Sequence, residues 1–164
     1  MAAVAAVHAD AFRRSEAPDD DPVEVGLLAA LRTGADWLPE LSLVATGAGG
    51  EVVGHVVCTR ARVDDVTVVG LGPIGVLPAR QGDGIGTAMM HAVLGAADAL
   101  GTPLVGLLGS PDFYGRFGFV VSTARDVAAP DPAWGPHFQV RTLTAWTPSV
   151  HGSFRYAAPF EDLS

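Results

Sequence analysis

Apolar residues recur at helical intervals in three parts of the chain. Their spacing of three and four positions predicts a short amphipathic helix over about residues 4–14. A second run, which starts at Val25, predicts a helix that ends near Gly34. The longest apolar stripe predicts a third helix over residues 84–100, with Gly101 in place to end it.

Apolar runs of strand length lie between and after these helices. The first three are separated by turns rich in glycine and aspartate, so they predict an antiparallel meander. They cover residues 41–46, 52–60 and 66–76. A further run, residues 104–108, follows the third helix directly, so the strand before that helix and the strand after it are expected to pair in parallel as one βαβ unit. Weaker strand patterns follow near residues 119–123, 138–146 and 152–156.

One domain of the α/β class accounts for the whole chain. The sequence has 164 residues and shows neither an internal repeat nor a domain boundary. Hydrophobic residues make up 49% and charged residues 17%, a balance that excludes an intrinsically disordered chain. We therefore expect residues 1–164 to form a single unit.

The charge pattern excludes several kinds of partner and chemistry. The formal net charge is −8, and all ten basic residues are arginines that form no basic stripe. A nucleic-acid partner is therefore not expected. Because the chain has no lysine, it can form neither a Gly-Lys-Ser/Thr phosphate loop nor a lysine Schiff base.

Cysteines, histidines and apolar runs bear on disulfides, metal binding and the cellular compartment. Cys58 is the only cysteine, which excludes an intrachain disulfide. The five histidines show no ligand spacing, so no metal is predicted. No apolar run approaches the roughly 20 residues of a membrane span, and the apolar N-terminus lacks the basic flank of a signal peptide. We therefore expect a cytoplasmic protein with no membrane partner.

A glycine-rich segment, residues 78–87, lies between a predicted strand and the third helix. Glycines at positions 82, 84 and 86 let backbone N–H groups turn inward, and the helix N-terminus adds partial positive charge. This arrangement suits a diphosphate; the alternative is a plain glycine-rich turn. The dinucleotide pattern G-x-G-x-x-G at residues 70–75 is set aside, because it must open a helix and Pro73 with Pro78 forbids one.

The segment resembles the pyrophosphate loop of the GNAT superfamily of N-acetyltransferases. The matching residues are Gln81-x-x-Gly84-x-Gly86, preceded by a strand that ends in Ile74-Gly75-Val76 and by Pro78. The later elements are similar too: a helix, a short strand and then Phe113-Tyr114-x-x-Phe117-Gly118-Phe119. The resemblance is specific over residues 71–119, and it is closest to uncharacterised bacterial members of the family.

The resemblance implies a fold of the α+β type. The family's sheet is central, mixed and mostly antiparallel, helices flank it, and its parallel fourth and fifth strands splay apart. Pro73 fits this place, because a proline cannot donate to a neighbouring strand and belongs at an edge or bulge. The chain starts in a helix, so either the sheet lacks the family's first strand or the start is truncated.

The resemblance also implies acetyl-CoA as the acyl donor. Two positions depart from the family: Asp83 replaces a basic or small polar residue and would repel a diphosphate, and Ser110 replaces a frequent asparagine. Arg80 can partly compensate for Asp83. The expected cofactor-binding residues are Ile74, Gly75, Val76, Arg80, Gln81, Gly82, Asp83, Gly84, Ile85, Gly86, Thr87 and Ser110.

Tyr114 is the expected catalytic acid. In the family, a tyrosine just before the Gly-Phe strand commonly donates to the leaving thiolate, and a phenol of ordinary pKa ~10 suits that role. The alternative is an aromatic ring packed under the loop. The general base is open between His55, which could equally be a half-buried strand residue, and water. Cys58 has no basic neighbour in sequence, which favours direct transfer in a ternary complex.

Two functions fit these features. The first is acetyl-CoA-dependent transfer of an acetyl group to a primary amine of a small molecule or to an exposed peptide amine. The second is a non-catalytic sensor or interaction module that binds CoA or acyl-CoA, and it is favoured by Asp83 and by the lack of an obvious base. Four C-terminal aromatic residues fit an acceptor pocket, a homodimer seam or ordinary core packing, and the sequence does not separate these: Trp134, Trp146, Phe154 and Tyr156.

Overall fold

The computed structural model describes residues 1–13 and 22–163. Its helices are α1 (Ala2–Ala11), α2 (Val23–Thr33), α3 (Ile85–Ala99) and α4 (Pro111–Tyr114). Its strands are β1 (Trp37–Thr46), β2 (Val52–Val63), β3 (Val66–Val76), β4 (Leu104–Leu108), β5 (Val120–Val121), β6 (Val127–Ala128), β7 (Phe138–Thr142) and β8 (Gly152–Arg155). Short 3-10 turns cover Pro78–Arg80, Gly115–Phe117, Ser122–Arg125, Pro132–His137 and Ala158–Leu163.

The strands form one mixed, mostly antiparallel sheet. Its order is β5-β7-β4-β3-β2-β8-β6. Strand β1 pairs with the first part of β2, on the edge where β8 pairs with the last two residues of β2. The predicted meander β1-β2-β3 is confirmed, and β3 and β4 pair in parallel as expected for the βαβ unit. In the described part of the chain the first strand follows α2, so β3 and β4 occupy the places of the family's fourth and fifth strands. The predicted fold class is confirmed.

Several predicted boundaries were wrong. The first helix ends at Ala11 rather than at residue 14, and residues 14–21 lie outside the described part. The strand predicted over 138–146 ends at Thr142: the Leu143 amide still donates in register to the carbonyl of Pro103, but Pro103 has no N–H to donate in return. The strand predicted over 119–123 covers only two residues before a 3-10 turn, and the short β6 was not predicted.

The two faces of the sheet carry different layers. Helix α3 covers one face, where Met90 and Val93 pack with Val56 and Leu107 in the main core. The opposite face is covered by α1, α2 and the C-terminal segment, with a second core around Phe138 and other aromatic residues. We call these the α3 face and the α1 face.

Strands β3 and β4 separate soon after they meet. Their pairing consists of Val69 with Val105 and Gly70 with Gly106. Just beyond, Gly72 and Pro73 both lie opposite the single residue Val57 of β2, so β3 carries a bulge. The predicted break at Pro73 and the predicted splay are therefore confirmed. The backbone groups beyond Gly70 and Gly106 border a gap, which we call the splay.

Candidate functional site

The glycine-rich loop connects β3 to α3 at one end of the splay. Gly82 and Gly84 have φ values of 85° and 82°, a left-handed conformation that strains residues with a side chain. Gly86 lies inside the helix, and a Cβ there would stand 3.8 Å from the Phe113 Cζ atom, which is ordinary contact. The backbone thus requires glycine at two of the three positions.

The N-terminus of α3 opens toward this loop. Gly84 is the N-cap residue, and no described side chain caps the helix. The first intrahelical bond runs from the Ala88 amide to the Gly84 carbonyl at 3.0 Å, so the amides of Ile85, Gly86 and Thr87 precede it. Such amides, together with the helix dipole, favour an anion. The chemistry of this end of the loop therefore fits a phosphate group.

The charged side chains of the loop pair with each other. The Arg80 Nε atom donates to the Asp83 Oδ2 atom at 3.0 Å, and an Arg80 Nη1 atom lies 3.8 Å from the Glu51 Oε1 atom. The side-chain Nε2 atom of Gln81 donates to the Val76 backbone carbonyl at 3.1 Å, which connects the loop to the end of β3. Arg80 therefore offsets the carboxylate charge of Asp83 within the loop.

The predicted contact residues on β3 continue from the loop along the splay. Ile74 and Val76 are partly buried and pack against the α3-face core. Gly75 is buried on the other face, where a Cβ would stand 3.2 Å from the Ala11 Cβ atom of α1. Ser110 lies across the splay at the start of α4, where its carbonyl accepts the Tyr114 amide and its side chain is exposed. The structure thus brings the predicted residues to one strip along β3, the loop and the end of β4.

Tyr114 lies on the α3 face just after β4. Its ring packs edge-on against Phe113, with ring centres 4.9 Å apart, and a Cβ at Gly109 would collide with it. Burial raises the pKa of the Tyr114 phenol, which therefore stays protonated at neutral pH. The side chain is thus a packed aromatic that keeps its proton at neutral pH, and its role as the catalytic acid stays a prediction.

Sequence reasoning missed one residue near β4 and left the position of a second unresolved. Gln139 of β7 is buried, and its amide donates to the Gly109 carbonyl at 3.1 Å, which braces the turn before Ser110. Tyr156 lies on the α1 face, and its ring covers Gly70 of β3. Gln139 carries no local signal in the sequence. Tyr156 belongs to the C-terminal aromatic residues, whose pattern did not separate it from ordinary core positions.

His55 is not a lone, half-buried histidine. It is fully buried, its Nδ1 atom lies 2.8 Å from the His8 Nε2 atom, and its Nε2 atom lies 3.0 Å from the Ser42 Oγ atom. Burial, followed by the neighbouring charges of His8 and Arg32, lowers the pKa of His55 to about 4, and burial alone lowers that of His8 to about 4. Both rings are therefore neutral at pH 7, and they connect α1 to β2.

Other candidate chemistry is absent from the described residues. Cys58 is fully buried, and burial raises the pKa of its thiol, as expected for an inert core residue. Residues 1–13 and 22–163 contain no group of three or more His, Cys, Asp or Glu side chains that could hold a metal ion. None of the helices in these ranges has the length and apolar character needed to cross a bilayer.

A mixed sheet with a splayed parallel pair and a glycine-rich loop that opens a helix is the arrangement that the resemblance to the GNAT superfamily implied. The family model for the acetyltransferase (GNAT) family matches residues 8–119. The uncharacterised N-acetyltransferase YhbS of Escherichia coli is 32% identical over 110 residues, 66% of each chain, so the match spans just under two thirds of that relative. YjhQ, another uncharacterised N-acetyltransferase of E. coli, is 31% identical over 84% of this chain and 80% of its own.

Solved structures show the same architecture. The crystal structure of E. coli YhbS in complex with CoA superimposes with a TM-score of 0.85 at 27% identity, over 98% of this chain and 86% of that one. A Brucella melitensis GNAT acetyltransferase in complex with acetyl-CoA gives a TM-score of 0.75 at 30% identity, over 97% and 90% of the two chains. The chain belongs to the acetyltransferase (GNAT) family.

Proposed function

We propose that this protein transfers an acetyl group from acetyl-CoA directly to a primary amine of a small molecule or to an exposed peptide amine. The observation that carries the proposal is the loop between β3 and α3, where two left-handed glycines precede an uncapped helix N-terminus beside the splay. The complexes of two family members with CoA and acetyl-CoA support the same donor here. In this proposal the diphosphate contacts residues 81–87, and the pantetheine arm follows Ile74, Gly75 and Val76.

The transfer needs one proton donor and one proton acceptor. The amine nitrogen attacks the thioester carbonyl carbon, the C–N bond forms and the C–S bond breaks. Tyr114 gives its phenolic proton to the departing sulfur, which leaves as the thiol. The amine nitrogen loses one proton to solvent, and solvent reprotonates Tyr114. The products are the N-acetylated amine and CoA.

Water is the proton acceptor in this proposal. Strands β3 and β4 carry no aspartate or glutamate. His55 uses both ring nitrogens in its bonds to His8 and Ser42, and its low pKa makes it a weak base. Cys58 is fully buried and burial raises the pKa of its thiol, which supports direct transfer within a ternary complex over a cysteine-linked intermediate.

Release of CoA thiol in the presence of a panel of amines tests the proposal. The wild-type protein is expected to release thiol with at least one amine. Tyr114→Phe keeps the ring and removes the acid, so its kcat should fall by about 10²-fold while calorimetry shows unchanged CoA affinity. Unchanged kcat in this variant would remove Tyr114 from the mechanism.

A binding module without turnover is the second candidate, because no acidic side chain lies on the strands beside the splay. Calorimetric binding of CoA with no thiol release for any amine in the panel would favour it. A cytoplasmic location and a homodimer remain predictions from the sequence.

A further inference from the structure

We propose that the cavity between the end of β2, β8 and the C-terminal segment binds a phosphate group, which Arg60, Arg62 and Arg155 hold. The site is distinct from the glycine-rich loop. Thr67, which also lines the cavity, lies near the start of β3, whereas the loop follows the end of that strand. The inference is therefore independent of the proposed acetyl transfer.

Three exposed arginines from two strands line this one cavity. Arg60 and Arg62 lie two positions apart on β2, so their side chains leave the same face of the sheet. Arg155 of β8 is the cross-strand partner of Arg62, so its side chain shares that face. The sequence shows no basic stripe here, because β2 and β8 are far apart along the chain and meet only in the fold.

The pairing of Arg62 with Arg155 places two positive charges directly opposite each other. Like charges at directly opposed positions of an antiparallel pair are destabilising. Within residues 1–13 and 22–163, no carboxylate oxygen lies within 4.0 Å of a guanidinium nitrogen of Arg60, Arg62 or Arg155. A bound anion would supply the missing opposite charge.

Backbone carbonyls position the three guanidinium groups without neutralising them. The Arg60 Nη1 atom donates to the carbonyl of Ala35, just before β1, at 3.1 Å. Arg62 and Arg155 donate to the carbonyls of the two residues in the β2–β3 turn, at 3.1 and 3.2 Å. Because a guanidinium carries five N–H donors, each arginine keeps most of its donors for a ligand.

The carboxylates near the cavity do not cancel its positive charge. Asp36 and Glu161 also line it, so three guanidinium groups face two carboxylates. Asp64 and Asp65 of the adjoining turn are not among the lining residues, and the Asp64 carboxylate accepts the Ser153 amide at 2.9 Å. The lining is thus positive in a chain whose net charge is −8. Binding must rely on short-range hydrogen bonds, since the protein as a whole repels anions.

The donors and the size of the cavity suit a phosphate dianion. An arginine can donate two parallel hydrogen bonds to two oxygens of one phosphate, and two opposed arginines can do so from both sides. Thr67, the β3 partner of Arg62, adds an exposed hydroxyl that can donate to a third oxygen. Pockets for drug-sized ligands enclose about 300–1,000 Å³. The volume here is about 200 Å³, which fits a phosphate group rather than a whole nucleotide.

Calorimetry with inorganic phosphate and with a phosphate monoester, glycerol 2-phosphate, tests the inference against sodium chloride at equal ionic strength. One series contains saturating CoA, because the glycine-rich loop also suits a phosphate. We expect the wild type to bind phosphate in both series. Arg62→Gln and Arg155→Gln should each weaken this binding about tenfold or more, the size of a lost charge-assisted hydrogen bond. Arg125→Gln makes the same charge change beside Trp146, outside the cavity, and should keep the wild-type affinity.

Three results would overturn the inference. The first is a wild-type protein that binds neither phosphate compound more than chloride. The second is equal phosphate affinity of Arg62→Gln, Arg155→Gln and the control Arg125→Gln. The third is loss of phosphate binding when CoA is added, which would place the anion in the glycine-rich loop.

The two phosphate compounds identify the source of the ligand. Tighter binding of the monoester would support a phosphorylated small molecule, and tighter binding of inorganic phosphate would support the free ion. A wild-type protein that binds phosphate at the arginines but does not bind CoA would support this inference and contradict the proposed function.

Discussion

At the scale of single residues, the unusual feature is a carboxylate inside a loop that suits a diphosphate. Arg80 forms an ion pair with Asp83 at 3.0 Å, which reduces the repulsion between the carboxylate and a diphosphate. The same ion pair occupies the Arg80 guanidinium, which is then less available to the ligand. Both side chains are exposed by more than a third, so the ion pair is screened and contributes little to stability. We therefore expect the ion pair to change ligand affinity more than the stability of the fold.

We predict that Asp83→Asn tightens CoA binding about two- to fivefold, because it removes one negative charge and frees Arg80 for the phosphates. The gain should shrink as salt rises, since exposed charges are screened. Calorimetry at two salt concentrations measures both effects. Asp65→Asn, which makes the same charge change in the β2–β3 turn at the far end of β3, is the control and should leave affinity unchanged. Weaker binding by Asp83→Asn would contradict this account.

At the scale of elements, local patterns predicted the sheet and the loop, whereas contacts between distant segments were not predictable. The loop could be predicted because its glycines lie within a few residues of the strand and the helix that it connects. His8 contacts its partner only when α1 covers the α1 face of the sheet. His8 meets His55 across 47 residues, and neither helical spacing nor strand alternation signals that pairing.

The buried pair His8 and His55 predicts that the fold weakens in mild acid. Each pKa falls from 6.5 in the unfolded chain to about 4 in the folded protein, so the unfolded chain binds more protons between these values. Stability should therefore be full above pH 6.5 and fall as pH drops toward 4, by up to about 1.4 kcal/mol per pH unit for each histidine.

Thermal unfolding between pH 4.5 and 7 measures this effect. The comparison is the double variant His8→Leu/His55→Val, which removes both titrating rings and should flatten the pH dependence relative to wild type. Equal pH dependence in the two proteins would show that the histidine pair does not couple folding to protonation.

At the scale of the whole molecule, the net charge of the protein opposes the charge of the proposed donor. A net charge of −8 repels an anionic donor and attracts a cationic amine at long range. Donor binding must therefore come from short-range amides and the helix dipole at the loop, since the protein as a whole disfavours it.

Titration of the isotopically labelled protein with CoA, followed by the backbone amide signals in NMR, tests this central claim most directly. The account predicts that the largest shifts fall at residues 81–87 and that smaller ones follow along Ile74 and Val76. CoA binding that leaves the amides of residues 81–87 unchanged, or no binding at millimolar CoA, would contradict it.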